Sequence, residues 1–279
     1  MTDYLRANQT RWDQLVAAHE EAPFYDLAGF KAGKERLRAI ELAELGDVTG
    51  KTLLHLQCHF GLDTLAWARR GAIASGVDFS PKAIALARAL SAELAIPAEF
   101  ICAEISDLPD LLSGRFDILF TSYGVLHGLP DLGRWGEVIA HFLKPGGIFY
   151  IVEDHPAFRA LRADDAGELR PERSYFHHAE PQRIEVSGSY ASGRAAAPGV
   201  QYVWDHSLGD ILNALIGAGL TIEFLHEFPY AARAKFPFMV QGADGWWRLP
   251  PERHGTVPFL FSLWARKGGG EHGRAPALA

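Results

Sequence analysis

The amino-acid sequence predicts an α/β fold in which a mostly parallel sheet carries helices on both of its faces. From Lys51 onward, short apolar runs alternate with amphipathic segments, which is typical of repeated strand–helix units. The turn Lys144-Pro145-Gly146-Gly147 separates two such units, because proline fixes the turn and glycine accepts a positive φ. Together these observations predict the parallel sheet.

Residues 1–47 are predicted to form an N-terminal helical lid. Apolar residues with helical spacing occur twice in this segment, at Trp12, Leu15 and Val16 and again at Leu37, Ile40, Leu42 and Leu45. Residues 23–33 interrupt the spacing and contain the aromatic residues Phe24, Tyr25 and Phe30. The expected order is therefore a helix, an aromatic loop and a second helix.

Residues 48–154 are predicted to form the core of the fold. The expected strands cover residues 52–56, 73–77, 98–102, 116–121 and 148–152. The expected helices cover residues 63–70, 81–94 and 132–143. The start of the second helix is well signalled, because Ser80 can serve as its N-cap and Pro81 suits its first position.

Residues 155–205 interrupt this rhythm and are predicted to be an inserted cap. Prolines recur through the segment, and residues 183–190 and 200–204 show the alternation expected of an antiparallel hairpin. The core is expected to resume over residues 206–267, with a helix over 207–218 and strands over 220–225 and 258–265. The tail, residues 268–279, is predicted to be disordered.

Composition limits the classes of partner and location. The 279 residues include 27 Lys and Arg against 34 Asp and Glu, a net charge of −7, which disfavours nucleic acid and membrane surfaces as partners. The two cysteines, Cys58 and Cys102, are too few for a disulfide framework. The start of the chain is polar, and no apolar run approaches the roughly 18 residues of a membrane-spanning helix. The expected location is the cytoplasm.

The turns after the strands are the expected place for chemistry, because an open parallel sheet binds its ligand beyond the carboxyl ends of its strands. Asp78 ends the second strand, 17 residues beyond Gly61, where a carboxylate can accept both hydroxyls of a ribose. An aspartate before Ser-Pro is also a common turn residue, so the position alone leaves both interpretations open.

The order of these segments resembles the class I S-adenosylmethionine-dependent methyltransferases. It comprises a strand with a glycine loop, Asp78-Phe79-Ser80-Pro81, the acidic Glu104, the phrase Phe116-Asp117-Ile118-Leu119, and the later Leu143-Lys144-Pro145-Gly146-Gly147. The resemblance covers about residues 50–154 and implies a Rossmann-like seven-stranded sheet with the last strand antiparallel. It also implies S-adenosylmethionine as cofactor and a small-molecule methyl acceptor.

The resemblance also assigns donor-binding residues. The loop residues Leu56, Gln57, Cys58, His59 and Gly61 would approach the methionine part, Asp78 the ribose, Phe79 the adenine face, and Glu104 with Ile105 the adenine edge. Thr121, Ser122 and Tyr123 would lie beside the sulfonium and amino group. Apart from the resemblance, Tyr25 and Phe30 of the lid are expected to contribute aromatic side chains to the cofactor site.

The glycine loop departs from the family pattern. The family usually begins this loop with an acidic residue and has three glycines, whereas His55, Gln57 and His59 stand at the first three of these four positions and only Gly61 remains. Side chains there disfavour the alternative of a nicotinamide-dependent oxidoreductase, because a pyrophosphate needs close backbone approach at glycine. The further alternative is a donor-binding protein without turnover. No metal is expected, because strand alternation points Cys58 and His59 in different directions.

The catalytic candidates are His127, His155 and Tyr123. Both histidines follow parallel strands on the active face, and imidazole can take a proton near neutrality if the acceptor must lose one. The alternative is a structural role, in which each histidine caps a helix or hydrogen-bonds a loop carbonyl.

Two aromatic runs, Phe228-Pro229-Tyr230 and Phe236-Pro237-Phe238, are expected to form a packed lid or an oligomer contact, so a homodimer is possible. The sequence leaves the acceptor and the methylated atom open.

Overall fold

A computed structural model describes residues 1–164, 167–191 and 198–269. The helices are α1 (Asp3–Glu20), α2 (Leu27–Lys31), α3 (Ala39–Leu45), α4 (Leu62–Arg69), α5 (Pro81–Glu93), α6 (Leu108–Leu111), α7 (Leu132–Phe142), α8 (Pro156–Arg159) and α9 (Leu208–Gly217). The first strands are β1 (Thr52–Leu56), β2 (Ile73–Asp78), β3 (Glu99–Cys102), β4 (Phe116–Ser122), β5 (Leu143–Asp154), β6 (Leu161–Ala163) and β7 (Leu169–Pro171). The remaining strands are β8 (Gln182–Val186), β9 (Gly199–Val203), β10 (Leu220–Phe228), β11 (Tyr230–Ala231), β12 (Val240–Gln241), β13 (Trp247–Arg248) and β14 (Leu260–Lys267).

The main sheet has seven strands in the order β10, β14, β5, β4, β1, β2, β3. The pairs from β5 to β3 are parallel, and β14 runs antiparallel to both of its neighbours. This arrangement confirms the predicted mostly parallel sheet with an antiparallel last strand. The carboxyl ends of β1, β2, β4 and β5 therefore meet at one edge.

Both faces of the sheet are apolar because successive side chains of a strand point to opposite faces. Leu53 and Leu54 of β1 are both fully buried, yet they belong to two different hydrophobic cores. One core holds α4 and α5 against the sheet, and the other holds α7 and α9. The helices on both faces are thus those that the sequence predicts.

The largest difference in element boundaries concerns β5. This strand begins at Leu143 rather than at residue 148, and its pairing with β4 shifts register between Phe116 and Ile118. A Cβ on Gly147 would lie 2.9 Å from the Lys144 carbonyl oxygen and 3.1 Å from that of Phe116. The predicted glycine turn is therefore present as an irregular, closely packed start of the strand.

The N-terminal segment and the cap pack against each other. The predicted helix–loop–helix is confirmed, with α2 as an additional helical turn inside the aromatic loop because the Asp26 side chain caps it by accepting from the Gly29 amide. The predicted hairpin is also confirmed as β8 and β9. On α1, the Asn8 side chain donates to the carbonyl and accepts from the amide of Tyr202 in β9, at 2.7 and 2.8 Å.

Residues 229–259 form a small sheet that the sequence did not indicate, in the order β11, β13, β12. Its aromatic side chains pack inside the chain, since the rings of Phe236 and Phe238 stack 5.7 Å apart and Phe236 also contacts Phe259. Together with Phe158, Phe236 and Phe259 belong to a third hydrophobic core. Of the tail that is predicted to be disordered, residues 270–279 lie outside the described residues.

Candidate active site

A cavity of about 630 Å³ lies at the edge of the sheet where the strands end. Its floor comes from the loops after β1, β2, β4 and β5. The opposite wall comes from α1 and the β8–β9 hairpin, through side chains that include Leu5, Trp12, Val186 and Gln201. The core and both accessory segments therefore enclose one space.

Asp78 lies in the wall of this cavity with 7% of its surface exposed. Its carboxylate oxygens accept hydrogen bonds from the amides of His59, at 2.8 Å, and Ser80, at 2.9 Å. Burial raises the pKa of Asp78 to about 6, although these amides lower it. A hydroxyl donor in the cavity would further stabilise this poorly solvated charge.

The loop after β1 follows a backbone path that normally favours glycine. The φ angles of Gln57, His59 and Gly61 are 57°, 52° and 79°. Glycine is required by space at the last position, because a Cβ on Gly61 would lie 2.5 Å from the Phe100 ring. The left-handed conformations of Gln57 and His59 cost of the order of 1 kcal/mol each, so the bulky side chains occupy a loop that keeps the shape of a glycine loop.

A chain of hydrogen bonds joins this loop to α1 and the cap. The Nδ1 of His59 accepts from the Phe60 amide at 2.7 Å, so in a neutral ring the Nε2 carries the proton. That Nε2 lies 2.9 Å from His19 Nδ1, and His19 Nε2 lies 2.9 Å from Ser189 Oγ. Burial keeps both rings neutral, since it lowers the pKa of His19 to about 4 and that of His59 well below its ordinary value. The donation therefore runs from His59 through His19 to Ser189.

Asp63 brings a carboxylate to the end of β4. Its side chain accepts from Ser122 Oγ at 3.2 Å and pairs with Arg36 at 3.0 Å. His55 stands at the position where the family usually has an acidic residue, and its Nε2 lies 3.4 Å from the same Ser122 hydroxyl. Burial lowers the pKa of His55 to about 4, so this ring is neutral and Asp63 supplies the negative charge here.

Glu41 of α3 and Tyr123 place two polar groups in the cavity without a well-formed hydrogen bond. Tyr123 follows β4 in a left-handed conformation, with a φ of 40°. Its hydroxyl faces the Glu41 carboxyl closely enough to favour the charged carboxylate. Even so, Glu41 Oε2 and the Tyr123 hydroxyl are both buried and complete no hydrogen bond within the described part of the chain. Only 1% of Glu41 is exposed, and burial raises its pKa to about 7.

The end of β5 supports the cavity through two adjacent carboxylates. Glu153 accepts from the amides of Gly124, Val125 and Leu126, the last two at 2.8 and 3.2 Å, and so fixes the loop after β4. Asp154 accepts from the ammonium of Lys235 at 2.5 and 2.6 Å. Burial lowers the pKa of Lys235 to about 8, and the paired carboxylate opposes this shift.

The two histidines predicted as bases lie in different environments. His127 lines the cavity, where burial, and secondly the charge of Arg159, hold its pKa well below its ordinary value. His155 is not among the residues that line the cavity. Its Nδ1 accepts from the Ala157 amide at 3.0 Å and caps α8, and its Nε2 lies 2.7 Å from Glu227. The structure thus places His155 as a helix cap, which is one of the two roles that the sequence left open.

Most of the predicted site residues meet in the cavity. Those that line it are Tyr25, Gln57, Cys58, His59, Gly61, Asp78, Phe79, Glu104, Ile105, Ser122, Tyr123 and His127. Leu56, Phe30, Thr121 and His155 do not line it, and Leu56 and Thr121 are fully buried in the sheet. Phe30 packs in the core beneath the Arg69 guanidinium, 3.9 Å from the ring centroid.

Sequence reasoning missed many of the charged groups that line this cavity, among them Glu41, Asp63, Asp154, Arg159, Arg233 and Lys235. One signal was present for Glu41, because positions 37, 40, 41, 44 and 45 form the buried face of the α3 region, and an acidic residue on such a face is unusual. The arginines and Lys235 carried no local signal.

Within residues 1–164, 167–191 and 198–269, no three His, Cys, Asp or Glu side chains are grouped so that they could hold a metal ion. Over the same residues, no helix combines the length and apolarity that crossing a bilayer requires.

Residues 54–151 match the family model described as a methyltransferase domain. The chain is 27% identical over 153 residues to a ubiquinone biosynthesis O-methyltransferase of Bordetella avium. This alignment covers 52% of this chain and 63% of that protein. It is 32% identical over 135 residues to a magnesium-protoporphyrin O-methyltransferase of Rhodobacter capsulatus, covering 47% and 58%. The match thus spans only about half to two thirds of these relatives.

Solved structures show the same fold over most of the chain. The structure of an S-adenosylmethionine-dependent methyltransferase from Mesorhizobium loti aligns with a TM-score of 0.55 and 23% identity, covering 85% of this chain and 100% of that one. The CcbJ methyltransferase from Streptomyces caelestis aligns with a TM-score of 0.60 and 17% identity, covering 92% and 97%. The fold is therefore that of the class I S-adenosylmethionine-dependent methyltransferases, and residues 54–151 within it match a methyltransferase domain.

Proposed function

We propose that this protein transfers a methyl group from S-adenosylmethionine to a small-molecule acceptor bound in the 630 Å³ cavity. The observation that carries the proposal is that one cavity is lined by the Asp78 carboxylate at the end of β2, by Glu41 of α3 and by Tyr123 just after β4. The names of the relatives support a small-molecule acceptor, since ubiquinone and protoporphyrin are small molecules. The nicotinamide alternative gains no support from the comparisons.

The side chains of the cavity fit the donor. Asp78 would accept hydrogen bonds from the ribose hydroxyls, with Phe79, Glu104 and Ile105 beside the adenine. Gln57 Oε1, which is buried and has no hydrogen-bond partner in the described residues, is available to the methionine part. When bound, S-adenosylmethionine supplies an electrophilic methyl group on a cationic sulfur.

The main task of the chain is then to align the acceptor and exclude water. The α1 helix and the cap close the cavity, and the His59–His19–Ser189 hydrogen bonds join both segments to the donor loop. The Tyr25 hydroxyl, in the aromatic loop, also lies 2.5 Å from that of Tyr190 in the cap. We propose that residues 1–47 act as a lid over the donor through these contacts.

If the acceptor must lose a proton, we propose that Glu41 takes it. A general base works best when its pKa lies near the working pH, and burial brings the pKa of Glu41 to about 7. His127 is a weaker base because its pKa lies well below its ordinary value. Replacement Glu41→Gln should lower kcat by about 10²–10⁴-fold while the dissociation constant of the donor stays unchanged. A weakened donor affinity with kcat retained would instead place Glu41 in the donor site.

Calorimetry with S-adenosylmethionine, combined with a turnover assay, tests the proposed function. Wild type should bind the donor, and Asp78→Asn should weaken binding about tenfold or more, because hydrogen bonds to a charged carboxylate are lost. The matched control is Asp117→Asn. In wild type the Asp117 carboxylate accepts a hydrogen bond from Thr52 and pairs with Lys144, at the opposite end of the strands. Formation of S-adenosylhomocysteine with a panel of small hydroxyl, amine and thiol compounds then measures turnover. Absence of donor binding would contradict the proposal, and binding without turnover on any acceptor would favour the donor-binding alternative.

A further inference from the structure

Two arginine side chains face the cavity beyond β5 without a hydrogen-bond partner. Arg159 ends α8, and Arg233 follows β11. In the described residues neither guanidinium donates a hydrogen bond to the protein, and each has one ion-pair contact, at 4.0 Å, to Asp205 and Asp154 respectively. A guanidinium carries five N–H donors, so most of the donor capacity of both groups is unused.

The neighbouring carboxylates are already engaged by other partners. Asp154 accepts both of its short contacts from Lys235. Asp205 accepts from the side-chain amide of Gln182 at 2.5 Å. Glu153 is turned toward the backbone amides of the loop after β4. None of the three places a carboxylate oxygen within hydrogen-bond distance of either guanidinium.

The guanidinium of Arg159 is poorly solvated, although carboxylates lie near it. Only 21% of its side chain is exposed, and burial lowers its pKa; the charges of Asp154, Asp205 and Glu153 oppose this shift, and the charge of Arg233 adds to it. Arg233 is held over the Tyr190 ring, 4.8 Å from its centroid. Two guanidinium groups with unused N–H donors in one wall can bind a further anion, and the guanidinium fork matches the geometry of a carboxylate.

This region lies on the far side of the cavity from the ribose position. Asp78 ends β2, whereas Asp154 ends β5, and the strands β1 and β4 lie between them. Three strand spacings correspond to roughly 14 Å. A Cβ on Gly124 would lie 3.6 Å from Asp154 Oδ2, so the loop after β4 borders the same region. The arginines are therefore placed to contact the acceptor.

We propose that Arg159 and Arg233 form a subsite for a carboxylate group of the methyl acceptor, so that the substrate class is a small, partly aromatic carboxylic acid. The inference rests on the proposed methyl transfer. The aromatic part of such an acid would pack on the apolar side chains of the cavity, among them Phe24, Tyr25 and Tyr190.

Benzoate and its uncharged isostere benzamide test the subsite in protein that is saturated with S-adenosylhomocysteine. Wild type should bind benzoate about tenfold more tightly than benzamide, and both Arg159→Gln and Arg233→Gln should abolish this preference. The matched control Arg170→Gln should retain it, because 73% of the Arg170 side chain is exposed and it does not line the cavity. If Arg159→Gln does not fold, the test rests on Arg233→Gln, because 35% of the Arg233 side chain is exposed and its replacement should leave the fold intact.

Each result discriminates between the proposals. Equal binding of benzoate and benzamide by wild type would overturn the subsite, and so would tighter binding of inorganic phosphate than of benzoate. A weakened affinity for S-adenosylhomocysteine in both arginine variants would assign the arginines to the carboxylate of the donor. If wild type binds no S-adenosylhomocysteine, the proposed function fails, whereas the subsite alone fails if that ligand binds and the preference for benzoate is absent.

Discussion

Replacement of Glu41 by glutamine should stabilise the protein at neutral pH. Glu41 is 1% exposed, and burial raises the pKa of its carboxyl from 4.5 to about 7. The buried, ionised carboxylate therefore destabilises the folded state, as is expected of a group kept for function. Glutamine has nearly the same shape and no charge, so the variant removes the cost of burying a charge and keeps the packing.

The magnitude and sign follow from the pKa values in the folded and unfolded states. Between pH 4.5 and about 7 the folded protein binds more protons at Glu41 than the unfolded chain, so the free energy of unfolding decreases as the pH rises through this window. At about 1.4 kcal/mol for each pKa unit, the loss reaches about 3 kcal/mol above pH 7. Glu41→Gln should therefore match wild type near pH 4.5 and exceed it by up to about 3 kcal/mol at pH 8.

Urea unfolding followed by tryptophan fluorescence at pH 5, 6, 7 and 8 measures this difference. The matched control is Glu44→Gln on the same helix, because the Glu44 carboxylate is buried but accepts from Tyr150 at 2.6 Å and Ser262 at 3.0 Å and contacts His226 at 2.9 Å. That variant should be less stable than wild type, since it disrupts a satisfied network. A Glu41→Gln effect that is the same at every pH, or as destabilising as Glu44→Gln, would refute the reasoning.

Three further predictions concern donor binding and stability. Since the pKa of Asp78 is about 6, donor affinity measured by calorimetry should rise about tenfold from pH 5 to pH 7, and Asp78→Asn should remove the dependence; a flat wild-type profile would contradict this. Gly61→Ala should lower the free energy of unfolding by about 2 kcal/mol or more, because its Cβ would lie 2.5 Å from an aromatic ring at a φ of 79°. The control Gly114→Ala, at a φ of 100° with open space around it, should be milder in the same urea experiment, and equal effects would show that crowding is unimportant. Lys235→Met should cost about 3 kcal/mol at pH 7, because it leaves the buried Asp154 with only its 4.0 Å ion-pair contact to Arg233, and a loss below about 1 kcal/mol by urea unfolding would argue against a buried ion pair.

Much of the fold could be predicted because its signals are local. The alternation of strands and helices, the Ser80-Pro81 helix start, and the placement of Asp78 at the end of β2 are all written in short segments of sequence. The irregular start of β5 and the small sheet in residues 229–259 were missed. These features depend on close backbone contacts and two-residue strands, which leave no periodic pattern.

The sequence by itself predicted the α/β architecture and the edge of the sheet where the cavity lies, and most of the side chains that the family resemblance suggested for the donor site line that cavity. Tertiary structure alone decided which neighbours face the cavity, as with Ser122, which lines it, and Thr121, which is buried in the sheet. Tertiary structure also brought Arg159 and Arg233 to one wall, although they lie 74 positions apart in the chain. The physical reason is that a side chain's direction and its charged neighbours are set by packing between distant segments, whereas the period of a strand or helix is set by the segment itself.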